Sequence, residues 1–311
     1  MMKWVVKASL QKSLSLLPMS DKVNYMLQRK VTKGLPVRDE KFYEKVLLAL
    51  KHFNTFLEYC SPNDISTAAF YEFGAGWDLI SSLTYYALGI EQQTLVDIRA
   101  NIHLDLINDT LRRLSLHKMK LEQLTNASFR AVNWSPIRSI TELESRFGIS
   151  YLAPCDARDS KLPAESFSFI SNTSTLEHIP ESDLLKVLVE CVRLLKPKGI
   201  MSSIIDMKDH YSYHDSSISC YNFLKFSDTA WKLIDSPLHF QNRLRYPDYK
   251  KLFEISDLEI IVQDIQNPSS KELETLQAIN LTSRFQGNYS LEDLGAKTAH
   301  IVSRKSSNLQ D

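Results

Sequence analysis

The sequence predicts an α/β fold, in which a doubly wound and mostly parallel β-sheet has helices on both faces and follows a helical segment. Two observations predict it. From about residue 68 to residue 205, short apolar runs alternate with stretches of helical periodicity, which is typical of β-α-β units in a parallel sheet. Residues 1–66 lack this alternation and show helical spacing instead.

The predicted strands are short apolar runs, most of which end at a glycine or a polar residue. Within the alternating region they are residues 68–73, 94–96, 150–153, 166–171 and 200–205. The helices between them have apolar residues at spacings of three and four, and they cover residues 79–88, 104–114, 141–147 and 184–195. The run 196–199 contains proline and glycine and predicts a turn. Two later runs, 258–262 and 298–303, are expected to pair antiparallel at the sheet edge.

The N-terminal segment predicts two helices. The first has apolar residues that could share one face and ends near Pro18; these are Trp4, Leu10, Leu14 and Leu17. The second covers residues 39–59, where apolar side chains recur at helical spacing. We interpret the first helix as a lid or packing element, with a membrane-surface helix as the alternative.

These patterns divide the chain into four parts. We expect an N-terminal helical lid or extension at 1–66, the sheet core at 67–205, a substrate-facing insertion at 206–257 and edge strands at 258–311. The insertion differs from the core in composition because it is rich in tyrosine, histidine and serine.

Composition narrows the class of protein. Lysine plus arginine and aspartate plus glutamate number 37 each, so the chain of 311 residues has no net charge that would attract nucleic acid. No apolar stretch is long enough to cross a bilayer, and no cleavage site follows the basic start of the chain. The widely spaced cysteines form no CxxC pair, which indicates reduced thiols in a cytoplasmic protein; they are Cys60, Cys155, Cys191 and Cys220.

A glycine-rich turn at the end of the first predicted strand marks a ligand site. Gly74 and Gly76 allow a sharp turn and close approach of a ligand to the backbone. Glu72 would repel a pyrophosphate and attract a cationic ligand. Leu79 stands where the dinucleotide motif requires a third glycine or alanine, which disfavours an NAD-dependent oxidoreductase. Asp97 ends the second strand, at the usual distance for a carboxylate that binds ribose hydroxyls.

Four segments together resemble the class I S-adenosylmethionine-dependent methyltransferases, in particular the broad group that acts on small molecules and glycans. They are EFGAGWD, LVDIR, CDARDSKLPAESFSFISNTSTLEHIPE and LLKPKGI, and the resemblance spans about residues 68–205. It implies a seven-stranded Rossmann-like sheet with an antiparallel last strand and S-adenosyl-L-methionine as the cofactor. Asp78 departs from the motif, because the family has a third glycine at this position.

The resemblance also implies cofactor-binding residues. Glu72, Gly74 and Gly76 would surround the methionine part, and Asp97 would hold the ribose. The adenine would lie against Ile98 and contact the pair Asp156 and Ala157, while Asn172 would line the sulfonium region.

Transfer of a methyl group to a hydroxyl needs a base, and histidine is the natural choice near neutral pH. The loop after the fifth predicted strand contains two histidines and three aspartates between residues 206 and 215. We predict His210, beside Asp209, as the base, with His214 as the second choice; a structural role for either histidine remains the alternative. His178 follows Glu177, but Ser174 replaces a carboxylate that completes a metal site in some relatives, so we expect no metal.

The leading hypothesis is methylation of a hydroxyl or amine on a small molecule, with a glycan or sugar nucleotide slightly favoured. Asn242, Arg243 and Arg245 could bind a sugar or an anionic group, or serve as structural partners of nearby acidic residues. Residues 221–227 and 241–249 resemble uncharacterised methyltransferases encoded near bacterial polysaccharide genes, which favours the same acceptor class. The alternative is a non-catalytic S-adenosylmethionine-binding regulator or partner protein.

Overall fold

A computed structural model describes residues 3–15, 25–26, 28–30, 34–60, 65–236 and 240–306. Its centre is a seven-stranded sheet with the order β3-β2-β1-β4-β5-β7-β6. The strands are β1 (Ala69–Phe73), β2 (Gln92–Val96), β3 (Ile149–Leu152), β4 (Phe167–Thr173), β5 (Leu195–Asp206), β6 (Leu258–Ile265) and β7 (Thr298–Lys305). Strand β7 runs antiparallel to both of its neighbours, and the other pairs are parallel. The predicted mostly parallel sheet with an antiparallel last strand is confirmed.

Helices cover both faces of this sheet. Those of the described residues include α1 (Lys3–Ser15), α2 (Asp39–Cys60), α3 (Ile80–Ala87), α4 (Leu104–Leu116), α5 (Lys118–Thr125), α6 (Thr141–Phe147), α7 (Glu181–Leu194), α8 (Asp228–Ile234), α9 (Tyr246–Ile255), α10 (Ser270–Gln277) and α11 (Leu291–Gly295). None of the helices in the described ranges is both long enough and apolar enough to span a membrane.

Alternate side chains of the strands enter two separate cores. Phe70 and Phe169 pack with Phe56 of α2 on one face, with ring centroids 4.6–5.6 Å apart. Tyr71 and Phe73 lie on the other face, in the core that includes residues of α7 and α9. Burial on both faces explains why these strands are almost continuously apolar in sequence.

The predicted turn at 196–199 is not a separate turn. Strand β5 already begins at Leu195, which pairs with Phe167, and regular pairing resumes between Ile200 and Phe169. The backbone of Lys198 has a φ of +65°, so the extra residues are accommodated as an irregularity within the strand. Pro197 and Gly199 therefore mark an irregular first part of strand β5.

The predicted second helix is α2, and its apolar residues Phe42, Val46 and Phe53 are buried as expected. The first helix packs on the insertion: Trp4 is 2% exposed, and its ring lies 5.8 Å from that of Tyr211. Leu17 and Pro18, and the side chains of Leu10 and Leu14, lie outside the described residues.

Candidate functional site

Two cavities meet at the carboxyl ends of the central strands, where the strand order reverses between β1 and β4. The first cavity, of about 450 Å³, lies beside Asp97. The second cavity, of about 960 Å³, extends from Glu72 to His210. Gly74, Gly76 and Ser174 line both cavities, so the glycine-rich turn lies between them.

The turn after β1 needs glycine for two different reasons. Both glycines have backbone angles that side chains rarely adopt, with φ of +73° at Gly74 and +76° at Gly76. A Cβ on Gly74 would lie only 2.5 Å from Cγ2 of Thr175, whereas a Cβ on Gly76 would meet nothing within 4 Å. Gly74 thus permits close packing of two loops, and Gly76 leaves open space beside the cavities.

Two buried carboxylates flank this turn. Glu72 is 5% exposed and accepts a 3.1 Å hydrogen bond from Ser82, while Asp97 is 7% exposed and accepts from Tyr151 at 3.3 Å. Burial raises the pKa of both carboxyls to about 7, in Glu72 against the lowering effect of Ser82. Within the described part of the chain neither carboxylate forms an ion pair, and the arrangement therefore suits a cationic ligand.

The residues expected near an adenine lie together in the first cavity. Ile98, Asp156 and Ala157 all line it, and Ile98 is 65% exposed there. Asp156 already accepts hydrogen bonds from the guanidinium of Arg158, at distances of 2.6–3.0 Å. These bonds lower the pKa of Asp156. A ligand that contacts this carboxylate must share it with Arg158.

Asn172 lies away from both cavities. Its side chain is fully buried between β4 and β5 and donates a 2.8 Å hydrogen bond to Ser203. The next two residues, Thr173 and Ser174, line the second cavity instead. The hydroxyl of Thr173 lies 3.0 Å from Nε2 of the buried His52 on α2.

Asp78, which replaces the third glycine, has an ionic partner on α2. Its Oδ2 lies 2.7 Å from Nζ of Lys45, and both residues line the second cavity with Glu72. The side chain of Asp78 is 8% exposed and that of Lys45 is 32% exposed. Helix α2, which precedes the sheet in sequence, therefore contributes a positive charge beside the glycine-rich turn.

His210 lines the second cavity, but its acidic neighbour differs from the predicted one. Asp209 is fully buried, where it accepts hydrogen bonds from the backbone of Tyr211 and from Asn222. It caps a short 3₁₀ helix (His210–Tyr213) and does not line either cavity. The carboxylate that lies 3.6 Å from His210 Nε2 belongs to Asp206.

Asp206 ends strand β5 and is held from several sides. Its carboxylate accepts a hydrogen bond from Tyr213 and one from the backbone of Lys208. Burial alone would raise the pKa of Asp206, but His210, Lys208 and the hydrogen bonds outweigh it and lower the pKa. An ionised carboxylate beside His210 would stabilise that ring when it takes up a proton. His214, the second candidate, is exposed on the wall of the same cavity.

Glu177, His178 and His210 form a cluster in which one ligand atom from each residue lies within 4.8 Å of the others. Oε1 of Glu177 accepts a 3.2 Å hydrogen bond from the backbone of Asp206, and Oε2 has no hydrogen-bond partner among the described residues. Burial raises the pKa of Glu177 well above its usual value. Burial, together with His210, lowers the pKa of His178 to about 4. The sequence-based expectation of no metal stays a prediction.

The polar residues at 242–245 are structural. Arg245 is fully buried and donates hydrogen bonds to backbone carbonyls of Met207 and Leu294. Arg243 forms an ion pair with Asp228 and donates to the carbonyls of residues 223 and 226. Neither arginine lines the two cavities, which removes the support for an anion site here.

Parts of the chain are similar to known proteins. A family model described as a methyltransferase domain matches residues 122–203. No curated protein is significantly similar to the chain in sequence. Among solved structures, a SAM-dependent methyltransferase from Methanosarcina mazei is 14% identical, with 78% of this chain and 93% of that chain covered and a TM-score of 0.43. A SAM-dependent methyltransferase from Leishmania major is 11% identical, with 96% and 82% covered and a TM-score of 0.44. A protein from Pyrococcus horikoshii is 12% identical, with 90% and 98% covered and a TM-score of 0.48.

The sheet is that of the Rossmann-like class I methyltransferases, and the chain is an S-adenosylmethionine-dependent methyltransferase. Its cofactor is S-adenosyl-L-methionine. The paired buried carboxylates and the open space at Gly76 fit this cofactor, which carries a sulfonium and an ammonium group.

Sequence reasoning missed two residues of this site. Asp206 stands at a strand end, where ligand-binding residues concentrate, and that position was the available signal. Lys45 lies on a helix 27 residues before Glu72, and no local pattern marks it. Only the fold brings it to the glycine-rich turn.

Proposed function

We propose that the protein transfers a methyl group to a hydroxyl or amine of a small polar molecule, with a sugar or glycan precursor as the favoured acceptor. The observation that carries this proposal is the His210–Asp206 pair on the wall of the second cavity. A hydroxyl is a poor nucleophile near neutral pH, and an imidazole within reach can take its proton as the new bond forms.

In this proposal the cofactor spans both cavities. Glu72, Gly74 and Gly76 bind its methionine part, and Asp97 binds the ribose. The adenine lies in the first cavity; Ile98, Asp156 and Ala157 contact it. The cofactor supplies a methyl group on a sulfonium, and the chain aligns the acceptor with that methyl and excludes water.

The acceptor then occupies the second cavity. Its volume of about 960 Å³ is within the usual range for small-molecule sites. Charged and polar side chains line it, including Lys51, Asp264 and Gln266. Such a wall can satisfy the many hydroxyl groups of a sugar, and it disfavours a long aliphatic acceptor because polar groups would be left unpaired. We interpret residues 206–257 as the acceptor-binding insertion.

Transfer of a labelled methyl group tests this proposal. The wild type is incubated with labelled S-adenosylmethionine and a panel of sugars, sugar nucleotides and small amines, and the products are analysed for O- or N-methylation. With a hydroxyl acceptor, His210→Gln should lower turnover by about 10²- to 10⁴-fold. Cofactor affinity, measured by calorimetry, should change little. Asp206→Asn should lower turnover less, because it removes only the group that stabilises the protonated ring.

His214→Gln is measured in parallel, because His214 is the second candidate for the base and is exposed on the same wall. Turnover that survives His210→Gln would remove His210 from the catalytic role. Methylation of apolar acceptors but not of sugars or amines would overturn the proposed acceptor class and leave the assignment as a methyltransferase intact.

A further inference from the structure

The Lys45–Asp78 ion pair has no role in the function described so far, although it lies beside the glycine-rich turn. Lys45 extends from α2 into the second cavity, and Asp78 holds its ammonium group at 2.7 Å. Glu72 lines the same cavity, and the charge of Lys45 acts to lower its pKa. One positive and two negative side chains thus face the end of the site that is proposed for the methionine part.

The amino-acid end of the cofactor carries an ammonium and a carboxylate. Glu72 is suited to the ammonium, but a carboxylate in the same place needs a positive partner to offset its desolvation. A lysine ammonium has three N–H donors, so Lys45 can donate to Asp78 and still bind a second carboxylate. Together, Lys45, Glu72 and Asp78 present one net negative charge, which complements the single net positive charge of a ligand with sulfonium, ammonium and carboxylate groups.

The other lysines on this wall are held away from the turn by their own partners. Lys41 pairs with Glu44 at 2.7 Å, and Lys51 pairs with Asp264 at 2.8 Å. Lys208 lies 5.1 Å from the ring centroid of Tyr213. Lys45 is therefore distinguished by a partner that belongs to the glycine-rich turn itself.

We propose that Lys45 binds the carboxylate of the cofactor's methionine part, and that Asp78, at the position of the missing third glycine, fixes Lys45 in place. A glycine at position 78 would have no side chain to bind Lys45, whereas the carboxylate of Asp78 orients the Lys45 side chain of α2. This inference rests on the assigned cofactor and does not depend on the acceptor.

Calorimetry with the cofactor and with one analogue of it tests the proposal without any acceptor. S-adenosylmethionine has the carboxylate, and its decarboxylated analogue lacks it. Lys45→Met should lower the affinity for S-adenosylmethionine by about 10- to 100-fold, the usual range for a lost charged hydrogen bond. Its affinity for the decarboxylated analogue should not fall, because that ligand has no carboxylate for Lys45 to bind and its two cationic groups gain from the loss of a neighbouring positive charge.

The matched control is Lys41→Met, which removes a lysine one helical turn earlier on the same cavity wall and should affect neither ligand. Because Lys45→Met leaves the buried carboxylate of Asp78 without its partner, the double variant Lys45→Met/Asp78→Asn is measured as well. Thermal unfolding verifies that each variant is folded.

An equal loss of affinity for both ligands, or no loss for either, in a folded variant overturns the proposal. Failure of the assigned cofactor is a different result, in which the wild type binds neither S-adenosylmethionine nor its analogue, and the role of Lys45 is then overturned with it. A loss confined to the ligand with the carboxylate supports the proposal.

Discussion

The affinity for S-adenosylmethionine is expected to rise with pH, because Glu72 and Asp97 must be ionised to hold a cationic nucleoside. Burial raises the pKa of both carboxyls to about 7 in the free protein. Each is then ionised to about 3% at pH 5.5 and about 50% at pH 7. The affinity should increase about 15-fold over this interval if one ionisation is required, and up to about 250-fold if both are.

Calorimetry between pH 5.5 and 7 measures this dependence and avoids the titration of the ligand's own amino group, which lies near pH 8. Titrations in buffers of different ionisation enthalpy count the protons released on binding. About one proton for each carboxyl should be released at pH 5.5. Glu72→Gln and Asp97→Asn should each remove one released proton and flatten the pH profile. A constant affinity without proton release would refute the reasoning, because the carboxylates would then be ionised before the ligand arrives.

The stability of the free protein should depend on pH in the opposite sense. The folded-state pKa of Glu72 lies above its unfolded value, so its contribution is fully present below the unfolded pKa and is lost as pH rises through about 7. Glu72→Gln should therefore reduce the loss of thermal stability between pH 5 and 7.5. The increase in melting temperature caused by the cofactor should grow over the same interval.

Three further substitutions test the fold around the site. Gly74→Ala should destabilise the protein more than Gly76→Ala in thermal unfolding. Both glycines have φ above +70°, a conformation that costs alanine about 1 kcal/mol, but only a Cβ on Gly74 would also collide with Thr175. Arg245→Lys should lower the free energy of unfolding in urea by about 3 kcal/mol, since a lysine cannot replace the buried guanidinium that binds several backbone carbonyls; a loss under about 0.5 kcal/mol would contradict its structural role. Trp4→Ala should cost about 3 kcal/mol and accelerate hydrogen exchange in the insertion; unchanged exchange there would contradict the docking of α1.

Much of the fold was predictable because its signals are local. Buried strands of a parallel sheet are apolar runs, and the turn after β1 contains the glycines that its backbone angles require. The predicted strand 68–73 differs from the observed β1 by one residue. The predicted start of β5 at residue 200 was wrong. Pro197 and Gly199 indicate a break in the chain, but they do not reveal that strand pairing with β4 already begins at Leu195.

The candidate site was less predictable because it depends on the direction of side chains. Asp209 is adjacent to His210 in sequence, but its carboxylate caps a short helix, and Asp206 is the acidic neighbour in space. On β4, a shift of one residue separates Asn172, buried in the sheet, from Thr173 on the cavity wall. Successive strand residues point to opposite faces, so an error of one position changes the environment completely.

The contact between helix α1 and the insertion has a consequence for the order of folding. The backbone N–H of Trp4 donates a 3.0 Å hydrogen bond to Asp215, across 211 residues of sequence. Contacts of such separation close a large loop and tend to form late. We expect the amides of the central strands to become protected from hydrogen exchange first during refolding. The amides around Asp215 should become protected only after α1 has packed against the insertion. Pulse-labelling hydrogen exchange would reveal this sequence of events, and simultaneous protection of both regions would contradict it.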